Sequence, residues 1–160
     1  MKHMKNIAKL LAVILVLCMV LIPLVSCTKK EQNVNGYCTV VVATDPETVY
    51  TVDLDKLGTV DEGLVSVLDY LKTNNGLTYE KTESEGLGAY LTKILSLDPA
   101  TVTEGYGYIQ LFTSVEKDFD VTEYAVEKDY KGTKIVSSGF GASSMTIQAD
   151  AIYYITLAVF

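Results

Sequence analysis

Residues 59–77 read TVDEGLVSVLDYLKTNNGL. Leu64, Val67, Leu68 and Leu71 fall at i, i+3, i+4 and i+7, the spacing that puts one apolar stripe on an α-helix. Thr59-Val60-Asp61-Glu62 has the form of a capping box, with the Thr59 hydroxyl placed to take the Glu62 amide. Asn75-Gly76 supplies a left-handed stop. The spacing predicts one amphipathic helix over 60–74, and its stripe needs a partner surface.

The segments on either side of the helix supply that partner as strands. YCTVVVAT (37–44) is dense in β-branched residues, Asp45-Pro46-Glu47 is a turn signal, and TVYTVDLD (48–55) alternates. Together they read as a hairpin. After the helix come LTYEKTE (77–83) and GLGAYLTKIL (86–95), then the Asp98-Pro99 turn and GYGYIQLFTSV (105–115). EKDFD (116–120) is a charged loop, TEYAVE (122–127) and TKIVSS (133–138) are short strands, and SGFGASSM (138–145) is a small-residue loop. MTIQA (145–149) reads as a strand. DAIYYITLAVF (150–160) is apolar nearly throughout, the pattern of a central strand covered on both faces. One helix and several strands without βα alternation give an α+β fold, one helix packed on a mostly antiparallel sheet.

The chain ahead of this domain has a different character. MKHMKNIAK carries three lysines and no acid, and residues 10–25 are uncharged and almost wholly apolar. A basic flank, an apolar run and small residues make a secretory signal. Leu24-Val25-Ser26-Cys27 ends it and is similar to the lipobox of bacterial lipoproteins, whose cysteine is diacylated and becomes the first mature residue. Two acyl chains are what stable anchoring requires. An uncleaved membrane helix is the alternative, but the run is at the short end of the roughly 17–25 residues needed to span, and Pro23 disfavours a continued helix. The expected organisation is a signal peptide over 1–26, a lipidated tether over 27–36 and a domain over 37–160. Its place is then the extracytoplasmic face of a bacterial membrane.

Composition narrows the function. Three of the thirteen lysines precede Cys27, while all twenty acidic residues follow it. So acidic a domain is not expected to bind nucleic acid. The one histidine is His3, and residues 27–160 hold no His, Trp or Arg. A Ser-His or Cys-His pair and an imidazole metal site are therefore excluded there. Cys38, among β-branched residues, reads as a buried small hydrophobe. No enzyme is expected. A carboxylate-based hydrolase would need two acidic side chains facing each other about 5–10 Å apart in a cleft.

Three motifs fail on inspection. Asp53-Leu54-Asp55-Lys56-Leu57-Gly58 faintly echoes a calcium loop, but Leu57 and Leu64 stand where oxygen ligands belong. Gly139-Phe140-Gly141-Ala142-Ser143-Ser144 has no following helix and no lysine, so it is an ordinary loop and no phosphate cradle. Glu116, Asp118 and Asp120 read as a solvated charge run. The eleven tyrosines are a stronger signal. Tyr106 and Tyr108 share a strand face; such aromatic platforms hold rings, sugars or peptides, although a half-buried strand face is the commoner reason for tyrosines there. Tyr90, Tyr106, Tyr108 and the Phe140 loop are the candidates for a small-molecule site.

The order of pieces resembles a known family. A capped helix ending in NGL is followed by GLGAYLTKI (86–94), GYGYIQLF (105–112), GFGAS (139–143) and a terminal apolar strand. This is similar to the transcobalamin C-terminal-like domain of bacterial surface lipoproteins, over roughly 37–160. The resemblance implies a β-grasp fold. Through the vertebrate carriers, whose related domain closes over cobalamin, it also implies a cobalamin-like ligand. Tyr108-Ile109 stands where the family usually has tyrosine–tryptophan, and Thr113-Ser114 where it has an Asn-Gly turn. The reading is a lipid-anchored, non-catalytic ligand- or partner-binding module of the cell envelope. Its rival is a structural or adhesive module that presents a sheet edge to an envelope protein or glycan.

Overall fold

The computed structural model describes residues 34–85 and 88–160. The signal peptide expected over 1–26, Cys27 and most of the expected tether lie outside the described residues. The strands are β1 (Tyr37–Val42), β2 (Thr48–Asp53), β3 (Tyr79–Ser84), β4 (Gly88–Ile94), β5 (Gly107–Thr113), β6 (Glu127–Tyr130), β7 (Thr133–Ser137) and β8 (Ile152–Val159). The helix, α1, spans Leu64–Asn75. Six strands form a mixed sheet in the order β2-β1-β8-β5-β7-β6, and β3-β4 is a separate hairpin. Only the β1–β8 pairing is parallel, Val40 lying opposite Tyr153 and Val42 opposite Ile155. The protein is α+β, as the sequence implies.

The helix buries the stripe that its spacing predicts, with Val65 added. Those side chains share one apolar cluster with Val40 and Val42 of β1, Val52 of β2 and Tyr153 and Ile155 of β8. Removal of this surface from water is the main term that holds the helix on the sheet. Cys38 belongs to the same cluster as a free, buried thiol. Burial pushes its pKa up to about 12, so it stays protonated and unreactive at neutral pH.

The helix begins later than the capping box suggests. Thr59 Oγ1 accepts from Asp61 N–H, not from Glu62, and two turns precede Leu64. Gly63, with φ at +53°, is the reason: a Cβ there would lie 2.5 Å from the Met145 carbonyl oxygen and 2.9 Å from that of Ala142. Close docking against the 142–145 turn therefore sets the entry, overriding the local cap. The stop is as expected, with Gly76 left-handed and its N–H bonded to Leu71 O.

Two strand expectations are corrected. Residues 122–125 form a turn, because Asp120 Oδ1 takes the Thr122 N–H at 2.8 Å and Thr122 Oγ1 takes that of Tyr124. Such side-chain bonds compete with strand pairing, and the strand starts only at Glu127. Residues 145–149 form no strand either. Buried side chains satisfy that segment in place of a neighbouring strand. Thr146 donates its N–H and hydroxyl to Asp118, Tyr153 donates its phenol to Thr146 O at 2.7 Å, and Gln148 N–H donates to the Tyr153 oxygen.

The same bonds correct the reading of the charged loop. Asp118 is 3% exposed and ties 116–118 to the 145–149 segment, so the run is not simply solvated. Strand β8 is central but fully covered on one face only. Tyr153 and Ile155 are buried, while Ile152, Tyr154 and Thr156 are half-buried.

Candidate functional site

Strand β5 positions the site. It pairs with β8 along its whole length, Gly107 opposite Val159 through Thr113 opposite Tyr153. On its other side β7 reaches only Phe112 and Thr113. The chain leaves the sheet after Ser137, and its last bond to β5 is Ser138 N–H to Leu111 O at 2.8 Å. The next residues fold on themselves, Ser138 Oγ accepting the Phe140 N–H and donating to the Phe140 carbonyl. Gly139 crosses tightly over Phe119 and Asp120, its N–H bonded to Asp118 O. The first half of β5 is left without a strand on that side among the described residues.

A cavity of about 960 Å³ fills the notch, within the range of small-ligand sites. One wall is β5 from Gly107 to Leu111; the others are β4 from Ala89 to Thr92, the segment 137–141, and Tyr124 with Val126. Gly107 brings the bottom of the wall close to the Asp98-Pro99 turn, for a Cβ there would sit 2.5 Å from the Val102 side chain.

The four residues singled out in the sequence all line this cavity. Tyr90 stands on β4, Tyr106 precedes β5, Tyr108 lies within it and Phe140 caps the loop after β7. Tyr90, Tyr106 and Phe140 are exposed, Tyr106 at 72%. Tyr108 is half-buried and stacks on Phe160, ring centres 4.9 Å apart and planes within 9°. Register makes that stack: Tyr106 exchanges backbone bonds with Phe160, which puts Phe160 diagonally across from Tyr108 on the same face.

Phe160 and Tyr124, 83% and 78% exposed, were not among the sequence candidates. Phe160 ends an apolar run that reads as buried strand, and Tyr124 stands in a segment that reads as strand. Five exposed aromatics thus ring one cavity, a concentration that an ordinary surface does not carry.

The lining is mostly apolar. Among the described residues Asp120 is its one charged side chain, and no lysine lines it. Asp120 already accepts the Thr122 N–H, and Ser137 Oγ accepts the Val126 N–H at 2.9 Å. Among the described residues no group of three or more His, Cys, Asp or Glu could hold a metal ion. Also among them, no helix is long and apolar enough to cross a membrane. The arrangement can stack rings, exclude water and offer backbone hydrogen bonds along β5.

No family model and no curated protein matches the chain. Among solved structures, it is similar to a "putative metal binding protein" from Ruminococcus gnavus ATCC 29149, at 15% identity. The match covers 79% of this chain and 99% of that one, with a TM-score of 0.48.

Proposed function

We propose that this chain is a lipid-anchored protein of the bacterial cell envelope whose single domain binds a ligand and performs no chemistry. One observation carries the binding reading: Tyr90, Tyr106, Tyr108 and Phe140 come from three separate segments and meet around one cavity. Half-open aromatic clefts with few charges favour planar or extended ligands held by stacking and backbone bonds. We assign the fold to the β-grasp type. The N-terminal hairpin, the crossing helix and the parallel placement of β8 beside β1 support that assignment.

A corrinoid is the first small molecule to test, on the strength of the family resemblance in the sequence. Haem and envelope glycans follow on the chemistry of the cavity. The test is a thermal-shift panel on the full chain in detergent, with Tyr90→Ala and Tyr106→Ala as controls. A ligand that raises the melting temperature of the native chain but of neither variant places binding in the cavity. An adhesive module would bind its partner with both variants unimpaired.

Anchoring rests on Leu24-Val25-Ser26-Cys27 and has its own test. Cys27→Ala is expected to lose the mass of the lipid and to leave the membrane fraction or stall before cleavage. Membrane retention with no lipid on the native chain would restore the transmembrane alternative.

A further inference from the structure

The open side of β5 has the geometry of an unfilled strand position. Tyr106 exchanges both backbone bonds with Phe160, so in the antiparallel ladder Tyr108, Gln110 and Phe112 also turn their backbone groups toward β8. Gly107, Ile109 and Leu111 turn theirs the other way, into the cavity. Of these, the Leu111 carbonyl is taken by Ser138 N–H. The Leu111 N–H and both backbone groups of Ile109 have no hydrogen-bond partner among the described residues. An edge with free N–H and C=O groups is a template for another strand. Here it is not on the outside of the sheet but inside a cleft with aromatic rims.

Resting on the binding reading above, we infer that the ligand of this cleft is an extended peptide, which adds a strand to β5 between Gly107 and Leu111. A free donor and acceptor on Ile109, with a second free donor two residues on at Leu111, match the spacing of a peptide backbone. A sugar or a macrocycle has no such repeat. The open stretch accommodates about four or five residues at roughly 3.3 Å each. Alternate side chains of the guest would lie beside Ile109 and Leu111 on the helix side and beside Tyr108 and Gln110 on the other, which selects β-branched or aromatic residues. Asp120 is the one charged side chain in the lining among the described residues and the whole chain is acidic, so an acidic guest is repelled and a neutral or basic one accepted.

The experiment is selection from a displayed library of random heptapeptides against the full chain in detergent micelles. Enriched peptides are expected to be rich in β-formers and poor in Asp and Glu. At saturation they should slow amide exchange at Ile109 and Leu111. A peptide N-methylated at positions of one parity should lose about tenfold in affinity, the cost of roughly one hydrogen bond, while methylation at the other parity is tolerated. Ile109→Pro removes the outward N–H without touching the β8 ladder, where proline is tolerated, and should lose binding as well. Should that variant fail to fold, the methylation scan on the native chain decides alone. Equal tolerance of both parities, or binding without protection of Ile109 and Leu111, overturns strand addition. If no peptide is enriched but a corrinoid or glycan shifts the native chain and not Tyr106→Ala, the peptide inference falls and the binding reading stands. If nothing binds, both fall.

Discussion

The backbone N–H of Ser138 donates to the carbonyl of Leu111 at 2.8 Å, and this bond marks where the sheet stops closing on itself. On one side of it β5 is paired and Phe112 is fully buried. On the other side the same strand becomes the wall of a cavity. The cleft is therefore a consequence of how β7 ends, and what ends it is the tight Ser138–Phe140 turn over Asp118 and Phe119.

Gly63 and Gly76 bracket the helix, and both have positive φ. At Gly76 a Cβ would meet open space; at Gly63 it would strike the Met145 and Ala142 carbonyls. Gly76→Ala should cost about 1–2 kcal/mol, the ordinary left-handed penalty. Gly63→Ala adds a backbone clash and should cost about 1–3 kcal/mol beyond that. Urea denaturation of the two variants checks the order, and equal midpoints would remove the docking explanation for the late helix start.

Asp118 is the buried carboxylate that organises the 145–149 segment. Asp118→Ala leaves the Thr146 N–H and hydroxyl unpaired and should cost about 2–3 kcal/mol, the scale of bonds to a charged acceptor. Asp118→Asn keeps an acceptor and should fall between native and alanine. Amide exchange should speed up in 145–149 ahead of the rest of the chain. Uniform acceleration throughout would mean that the carboxylate serves global stability alone.

Tyr153 works on the same segment from the other side, donating to Thr146 O and accepting from Gln148 N–H. Tyr153→Phe keeps the ring in the core and removes both bonds, at an expected cost of about 1–3 kcal/mol. Because Asp118 and Tyr153 hold the two ends of Thr146, the double variant should cost less than the sum of the singles. Strict additivity in denaturant titrations would show two independent anchors.

Much of this was legible in the sequence, and two of the failures trace to contacts with segments distant along the chain or outside the local pattern. The apolar stripe of α1 and the hairpin of β1 and β2 follow from periodicities local to each segment, and both formed. The helix entry did not follow from Thr59, because Gly63 answers to Met145, far along the chain. Residues 145–149 have strand-like composition, yet Asp118 and Tyr153 satisfy their backbone. Strand β6 was missed because EKDY is charged, and the apolar-looking stretch before it is held in a turn by Asp120 and Thr122. Four of the aromatics that line the cavity could be picked out from the sequence. The sequence gives no sign that Phe160 would sit across from Tyr106, since that depends on the β5–β8 register.

The Cys38 thiol titrates near 9.0 when unperturbed and is pushed up to about 12 by burial. Between those values the native state keeps a proton that the unfolded chain releases, so stability is full below pH 9 and falls as pH climbs toward 12. Tyr153 is raised from its usual 10.0 by burial and acts in the same direction at higher pH. Cys38→Ala removes the thiol's share, at the cost of a small cavity. Its stability at pH 7 should be lower than native, and its decline from pH 9 to pH 10.5 shallower. Parallel declines in urea midpoints across that window would mean that Cys38 ionises as freely in the folded chain as in the unfolded one.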